Sequence, residues 1–301
     1  MLNLRRLDVL QRFAATGTIA AAAADLGYSP SAVSQQLATL EREAGVALVE
    51  RTAHTANLTD AGRELVEHAV AVLAAAEVAQ SAMRARAGKI TGRVTVSCVP
   101  EHAVTLAPHL ADLQRRHPGL SIVAHQTESE TAPSAVLDRI SDVAVIDDWT
   151  QEPMAGPSGL AVHRLHREQV MLAVPENHPA ASQGSQLSLA RLRDIVTAET
   201  WLNAPEGISR TAGDLVLDQA GAEPVQRWAF DGMHVRARLV STGAGVSLLP
   251  ASVVQEQPGI VGLSLRPRIY RYVHILTRRT TRVDPAVAMC VHAARQALAP
   301  S

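Results

Sequence analysis

The N-terminal part of the chain contains three short helical patterns separated by glycines, and this arrangement constrains the fold more than any other feature. The first pattern of apolar residues ends at Gly17. Thr18 can cap the second pattern, over residues 20–26, which ends at Gly27. Ser29 and Pro30 open the third helix, as a capping side chain followed by proline at the first helical position. Two helices joined by a tight glycine turn predict a helix-turn-helix.

The third predicted helix, which runs to about residue 43, has an apolar face and a polar, uncharged face. Val33, Leu37 and Leu40 recur every three or four residues and would anchor the helix to the other two. A polar face of small side chains can lie close in the major groove of DNA, where Gln pairs with adenine and Ser with base edges or phosphate. An ordinary solvated helix face is the alternative, and the face alone does not decide between them. The residues of this face are Ser31, Ser34, Gln35 and Ala38.

A short apolar segment, residues 46–51, leads to a further helix that Thr59 can cap, and this order predicts a β-wing beside the three helices. The whole region resembles the N-terminal domain of LysR-type transcriptional regulators. The match covers about sixty residues without a gap. The residues that carry the resemblance are 20–26, 29–37, 40–41, 45–46, 48, 50–52 and 58–62.

The resemblance implies a DNA-binding role for individual positions. Arg51 matches a wing arginine that reaches the DNA backbone or minor groove. Many members have Arg where this chain has Gln35, so we expect fewer phosphate contacts and a shallower salt dependence, since each neutralised phosphate adds about 0.9 to the slope. The expected DNA-binding residues are Pro30, Ser31, Ser34, Gln35, Arg51 and Thr52, and further phosphate candidates are Arg5, Arg6, Arg12 and Arg42.

A single long helix with an apolar stripe is predicted from residue 61 to about residue 86. A long connector offers little surface to its own chain, so we expect residues 61–86 to pair two copies into a homodimer; packing within its own domain is the alternative. A dimer would present two recognition helices to paired half-sites on double-stranded DNA. The resemblance leaves open a homotetramer and a contact with RNA polymerase. The stripe consists of Leu65, Ala69, Val72, Ala76, Ala79 and Met83, widened by Val66, Val70 and Leu73.

Strand and helix patterns alternate beyond a break at residues 87–92, which predicts a parallel sheet with crossover helices. Five landmarks are similar to the effector domain of the family, which has a periplasmic-binding-protein-like fold of two subdomains: residues 92–97, 117–118, 142–146, 174–179 and 242–250.

The expected fold is therefore α/β overall, with an all-α winged helix-turn-helix at its N-terminus. We expect a DNA-binding domain at residues 1–60, a linker and dimerisation helix at 61–88, and an effector-binding domain at 92–301. Within the last, subdomain one comprises about 92–160 and 266–301, and subdomain two about 161–265.

In such a fold a small-molecule effector binds between the subdomains, at strand ends and helix N-termini. The residues expected there are Val99, Pro100, Glu101, His102, Asn203, Ser209 and Asp231. Family members often carry a hydroxyl where this chain has Val99, so a simple carboxylate effector is less expected. Carboxylates could make the cleft acidic and select an amino acid or a cation, although each could equally cap a helix or face solvent. These carboxylates are Glu101, Asp147, Asp148 and Asp231.

Composition and motifs weigh against other classes of protein. No apolar stretch approaches the roughly 18–20 residues of a membrane span, and no signal peptide pattern is present, so we expect a cytoplasmic protein. Cys98 and Cys290 fall in apolar patterns and predict buried thiols rather than a disulfide. The formal net charge of −1 gives no argument for or against DNA binding.

Catalytic signals are weak. The histidines match no metal-ligand spacing, and no phosphate-binding glycine loop appears. Asp231, His234 and Ser241 are triad residue types, but no Gly-x-Ser-x-Gly motif frames a serine. We therefore expect no enzyme, no metal and no cofactor. The rival interpretation is a solute-binding module without gene regulation, which would have no use for the N-terminal sixty residues or so.

Overall fold

The three predicted N-terminal helices are present in the structure, a computed structural model that describes residues 1–51, 55–150, 154, 156–182, 186–205 and 212–299. Their caps are the predicted ones: the Thr18 side chain accepts a hydrogen bond from Ala21 N–H, and the Ser29 side chain accepts one from Ala32 N–H. Each cap satisfies a backbone donor that a helix start leaves free. The helices are α1 (Leu4–Thr16), α2 (Ile19–Leu26) and α3 (Pro30–Ala44).

A small β-wing follows α3. Strands β1 (Val49–Arg51) and β2 (Ala56–Leu58) pair antiparallel, with Arg51 opposite Ala56. The predicted wing is thus confirmed, with a shorter strand than residues 46–51. Thr52 lies outside the described residues.

The long helix α4 (Asp60–Ala87) begins at the predicted cap, where the Thr59 hydroxyl accepts Gly62 N–H at 2.9 Å. Its first half packs on the N-terminal core: Ala69 and Leu73 are buried, and Leu65 packs against the same cluster. The first two positions of the predicted dimerisation stripe, Leu65 and Ala69, therefore belong to the core of their own domain. Beyond them, Val72, Ala79 and Met83 of the stripe are exposed and Ala76 is half-buried.

The C-terminal part is built on one large mixed sheet, in the order β10-β6-β11-β5-β3-β4, with β7 paired to β11. A separate pair, β8 and β9, lies beside it. The strands are β3 (Gly92–Cys98), β4 (Leu120–Gln126), β5 (Val143–Asp148), β6 (Leu160–Pro175), β7 (Gln186–Ser188), β8 (Thr200–Asn203), β9 (Gln226–Ala229), β10 (Ser247–Pro250) and β11 (Ile260–Arg278). The helices are α5 (Pro100–Arg116), α6 (Ala132–Leu137), α7 (Leu189–Ala198), α8 (Ala212–Ala220), α9 (Met233–Ser241), α10 (Ala251–Glu256) and α11 (Pro285–Ala297).

The expectation of a parallel sheet is correct only in part. Strands β3, β4 and β5 pair parallel, as do β8 and β9, but β11 pairs antiparallel with both β5 and β6. The two strands β6 and β11, of 16 and 19 residues, run through both halves of the sheet. The two halves of the effector domain are thus joined by continuous strands as well as by packing.

Two main cores lie along these long strands. One contains Val96, Leu113 and Cys290, between α5, α11 and the parallel strands. The other contains Trp201 and Leu192, beneath α7 and α8. The strand β11 contributes Ile275 to the first core and Leu263 to the second. The last helix, α11, also packs in the first core, to which it contributes Cys290 and Ala294.

We predict that Gly62→Ala destabilises the winged helix-turn-helix by about 1–3 kcal/mol through overpacking. A Cβ at this position would lie 2.2 Å from the carbonyl oxygen of Leu48, which is backbone and cannot turn away. The thermal unfolding midpoint measures the effect. Glu64→Ala, at an exposed position of the same helix, is the matched control and should leave the midpoint unchanged or slightly raised. A Gly62→Ala protein as stable as the wild type would contradict the close approach of α4 to the wing.

Candidate functional site

The exposed face of α3 carries the residues predicted to read DNA. Pro30, Ser31 and Gln35 are exposed, and Ser34 is half-buried. The hydroxyl oxygens of Ser29 and Ser31 are 2.9 Å apart, and one hydroxyl donates a hydrogen bond to the other. Val33, Leu37 and Leu40 are fully buried on the opposite side, which fixes the orientation of the face.

Glu41 joins α3 to the wing. Its Oε1 accepts the backbone N–H groups of Leu48 and Val49, both at 3.0 Å. Arg51 Nη1 lies 3.5 Å from Glu41 Oε2 in an exposed pair, a contact worth about 0–1 kcal/mol. Arg51 and Ser34 also line a shallow groove of about 400 Å³ between α3 and the wing. An exposed, weakly held guanidinium at the edge of a groove is available to a phosphate.

The other candidate phosphate contacts differ from one another. Arg12 is buried, with Nη1 2.8 Å from Asp25 Oδ2 and Nη2 donating to Arg139 carbonyl oxygen, so its assignment as a phosphate candidate is wrong. Arg6 pairs with Glu43 at 2.9 Å. The exposed arginines of this set are Arg5 and Arg42.

A cavity of about 90 Å³ lies between the first turns of α5 and α9, at the carboxyl ends of β4 and β5. Four of the predicted effector residues line it: Val99, Pro100, Glu101 and Asp231. Carboxyl ends of parallel strands and helix N-termini meet here because the strand-to-helix connections share one edge of the sheet.

The remaining predicted effector residues are not part of the lining. His102 is buried behind the cavity, with Nε2 2.6 Å from Asp147 Oδ1. The Asn203 side chain donates to Asp214 Oδ1 at 3.2 Å, away from the lining. Asp148 is not part of the lining, and its Oδ1 accepts the backbone N–H and the hydroxyl of Thr150. Ser209 lies outside the described residues.

A buried charge cluster forms the floor of the cavity. Arg271 donates to Asp147 Oδ2 at 2.6 Å and through two nitrogens to Glu168 Oε2, at 2.9 and 2.7 Å. Burial alone would raise the pKa of Asp147, but Arg271 and His102 lower it to about 2. Glu168 also accepts Ser252 N–H at 2.6 Å, and its pKa is lowered against the effect of burial mainly by Arg271. Arg271, Asp147 and Glu168 are already paired with one another. They therefore stabilise the floor of the cavity and leave little unpaired charge for a ligand.

The N-terminus of α9 is already occupied by carboxylates of the chain itself. Glu101 Oε1 accepts Met233 N–H at 3.2 Å, which joins α5 to α9 across the cavity. Asp231 Oδ1 accepts Gly232 N–H at 2.8 Å. An incoming anion would therefore compete with two internal carboxylates for these donors.

Sequence reasoning missed several residues of the lining: Glu128, Ser129, Glu130, Trp149 and Arg236. The first three follow β4, so the rule that located residues 99–102 after β3 also applies to them. Arg236 lies one turn into α9, and no pattern in the sequence marks which way that turn faces.

The residues considered for thiol or triad chemistry are not arranged for it. Ser241 lies at the end of α9 and donates its hydroxyl to Arg238 carbonyl oxygen, whereas Asp231 and His234 lie at the start. Cys98 and Cys290 are both buried, as predicted. Burial raises the pKa of both thiols, that of Cys290 to about 12. Neither is a reactive thiolate at neutral pH.

Comparison with protein families decides the class. A family model described as the LysR substrate binding domain matches residues 87–299, and one described as a bacterial regulatory helix-turn-helix protein of the lysR family matches residues 4–63. The chain belongs to the LysR family. A LysR-type protein is a DNA-binding transcriptional regulator with an effector-binding domain, and the two matched regions are these two parts.

Individual relatives and structures agree with this assignment. The LysR-type chain is 26% identical over 266 residues to the nitrogen assimilation regulatory protein nac of Escherichia coli, an alignment that covers 86% of this chain and 82% of that protein. The fold is similar to a full-length single-residue variant of OxyR from Pseudomonas aeruginosa, with a TM-score of 0.72, 22% identity and coverage of 100% and 99%. It is also similar to full-length CbnR in complex with its target DNA, with a TM-score of 0.50, 24% identity and coverage of 98% and 100%.

We predict that acid destabilises this LysR-type chain partly through Asp147. A group whose folded-state pKa is lowered stabilises the fold above its unfolded pKa of 3.8, and that contribution is lost as pH falls through about 2. Asp147→Asn should lower the unfolding midpoint at pH 7 and flatten its decline below pH 4. Thermal unfolding across this pH range measures both effects.

The matched control is Asp112→Asn, which removes a carboxylate from exposed pairs with Arg115 and Arg116. It should leave the acid profile almost unchanged. If Asp147→Asn has the same acid profile as the wild type, Asp147 is not the ionised partner of Arg271.

Proposed function

We propose that α3 enters the major groove of DNA and reads base edges through Ser31, Ser34 and Gln35, while Arg51 and Thr52 contact the backbone beside it. The observation that supports this proposal most strongly is the exposed, uncharged face of α3 next to a groove that Ser34 and Arg51 line together. Pro30 fixes the start of the helix at the surface. CbnR, solved in complex with its target DNA, shares the fold.

We predict that Gln35→Ala weakens specific DNA binding by about 1–3 kcal/mol at one base pair of each half-site, since Gln pairs with adenine N6 and N7. Ser34→Ala, Gln35→Ala together should abolish specific retention. The measurement is a gel-shift titration against the intergenic DNA upstream of the gene, at two salt concentrations.

Gln219→Ala, an exposed glutamine of α8, is the matched control and should bind as the wild type does. A loss spread evenly over all DNA sequences would assign Gln35 to the phosphates instead. Equal specific binding by the double variant and the wild type would show that another face of α3 reads the DNA.

We further propose that α4 pairs two copies of the chain into a homodimer. Its exposed apolar residues include Val72, at 45% exposure, and Met83, at 62%. With Ala76 and Ala79 they form one side of the helix, whose small residues permit close approach. By length and composition alone α4 could also cross a membrane, so the expectation that no stretch approaches a membrane span is wrong for this helix. A second copy accounts for the same apolar surface and places two recognition helices on paired half-sites.

We predict that Val72→Glu, Met83→Glu shifts the protein from dimer to monomer, because each carboxylate would be buried against its counterpart at low dielectric. Sedimentation velocity measures the change, and it also distinguishes a dimer from the homotetramer that family membership leaves open. Val78→Glu is the matched control: Val78 is 46% exposed on α4 and lies outside the predicted stripe. A dimer unaffected by the double variant would locate the interface elsewhere.

We also propose that the cavity between α5 and α9 is the effector site. We infer that the protein acts in the cytoplasm by binding DNA and effector, without catalysis, and that contact with RNA polymerase follows from its regulatory role. Separation of the triad residue types along α9 and burial of both thiols support the absence of catalysis among the described residues.

A further inference from the structure

The charges around the effector cavity are unbalanced. Five carboxylates line it, from Glu101, Glu128, Glu130, Asp147 and Asp231. Asp147 is ion-paired with Arg271 and hydrogen-bonded to His102, which leaves four whose charge is not matched by an ion pair within the described residues. Of these four, Glu101 and Glu128 are half-buried, and Glu130 and Asp231 are exposed. Like charges around one cavity repel each other, and they do so more strongly where water is partly excluded. Such a cavity favours a ligand with a positive charge.

One cation lines the cavity beside these carboxylates. Arg236 is only 8% exposed, and its Nε–H has no hydrogen-bond partner among the described residues. The carboxylates whose charges act on it are Glu101 and Asp231, which oppose the lowering of its pKa by burial. A buried guanidinium with an unmatched donor costs free energy, and a ligand carboxylate that meets the guanidinium from the cavity would offset part of that cost.

The size of the cavity limits the ligand further. Its volume of about 90 Å³ is well below the roughly 300–1,000 Å³ of sites for drug-sized compounds. A dicarboxylate or an aromatic acid would bring a net negative charge into a cavity lined by carboxylates. Because Glu101 and Asp231 already occupy the first N–H groups of α9, a simple carboxylate would also lose the donors that such helix ends usually offer.

We propose that the cavity binds a small zwitterion, a compound with a protonated amine and a carboxylate, with the amine held by Glu101, Glu128 and Glu130 and the carboxylate by Arg236. This proposal rests on the proposed role of the cavity as the effector site and adds the chemical class of the effector. The two charges of the ligand match the two kinds of unpaired group. Its closest simple representatives are glycine, L-alanine, L-serine and β-alanine.

The test compares L-alanine with ethylamine, which lacks its carboxylate, and with propionate, which lacks its amine. The full-length protein is heated with each compound at equal concentration, together with the other three zwitterions and with succinate and benzoate. At least one zwitterion should raise the unfolding midpoint by about 2 °C or more, because a ligand that binds only the folded state stabilises it. The rise should increase with the concentration of the zwitterion. The amine should give a smaller shift, and the monocarboxylate, succinate and benzoate none.

Variants assign each charge of the ligand to its partner. Arg236→Gln should reduce the zwitterion shift to that of the amine, and Arg236→Lys should restore part of it. Glu128→Gln, at a half-buried position that tolerates the change, should reduce the shift of zwitterion and amine alike. Arg115→Gln and Glu67→Gln, both exposed and outside the cavity, are the matched controls and should respond as the wild type does.

Three results would overturn the proposal. They are a shift with propionate, succinate or benzoate equal to that of any zwitterion, no shift with any of the four zwitterions, and a zwitterion shift unchanged in both Arg236→Gln and Glu128→Gln. These outcomes are distinguishable from failure of the DNA-binding function, which the gel shift tests without ligand. If propionate, succinate or benzoate raises the unfolding midpoint and Arg236→Gln abolishes that rise, the cavity remains the effector site. The zwitterion proposal would then be wrong, and the effector would be a carboxylate.

Discussion

The buried guanidinium of Arg278 determines how the long helix sits against the effector domain. It donates to Glu77 of α4, to Asp142 ahead of β5, and to the carbonyl oxygens of Val136 and Ser141. Burial alone would raise the pKa of Glu77, but Arg278 and its other partners lower it, so the pair is ionised. A buried charge that loses one partner costs several kcal/mol, so α4 cannot slide by a turn without a large penalty. A second contact, from Arg84 to Asp284 at 2.8 Å, fixes the far end of α4.

The same two strands carry the charges of the cavity and the charges that hold α4. On β11, Arg271 lies at the cavity and Arg278 at the helix, about 23 Å apart at about 3.3 Å per residue. Asp142 and Asp147 occupy the matching ends of the β5 segment, which pairs with β11 from Val143 to Asp148. The cavity floor and the helix contact therefore share one hydrogen-bonded pair of strands. This continuous connection can transmit a regulatory signal only if the ligand binds two conformations of the protein with different affinities.

The N-terminal domain could be predicted almost completely from the sequence, because its signals are local. Thr18, Ser29 and Thr59 cap the helices as predicted, and each signal lies within three residues of the bond it forms. The long strands β6 and β11 could not be predicted in full. Charged residues interrupt their apolar patterns at residues 163–168 and 266–271, and their pairing joins positions about a hundred residues apart.

The cavity could be predicted only where topology alone places a residue. Glu101 and Asp231 follow strands at the edge where helices begin, and the rule for α/β sheets finds both. Arg236 and Asn203 show the limit of that rule. Arg236 lines the cavity, whereas the Asn203 side chain points to Asp214. Tertiary packing decides these two orientations, and the sequence pattern does not show it. The alternative that a carboxylate caps a helix is also realised, since Glu101 lines the cavity and caps α9 at once.

The charge of the proposed effector bears on how it could act. The recognition face of α3 is uncharged, and the chain as a whole has a formal net charge of −1, so attraction to the DNA backbone depends on a few arginines such as Arg51. A ligand of net charge would change the field at long range and alter affinity for every DNA sequence. A zwitterion adds no net charge, so it leaves this electrostatic attraction unchanged. Its effect on DNA binding then has to arise from geometry, through the strands that join Arg271 to Arg278 and through α4 to the paired recognition helices.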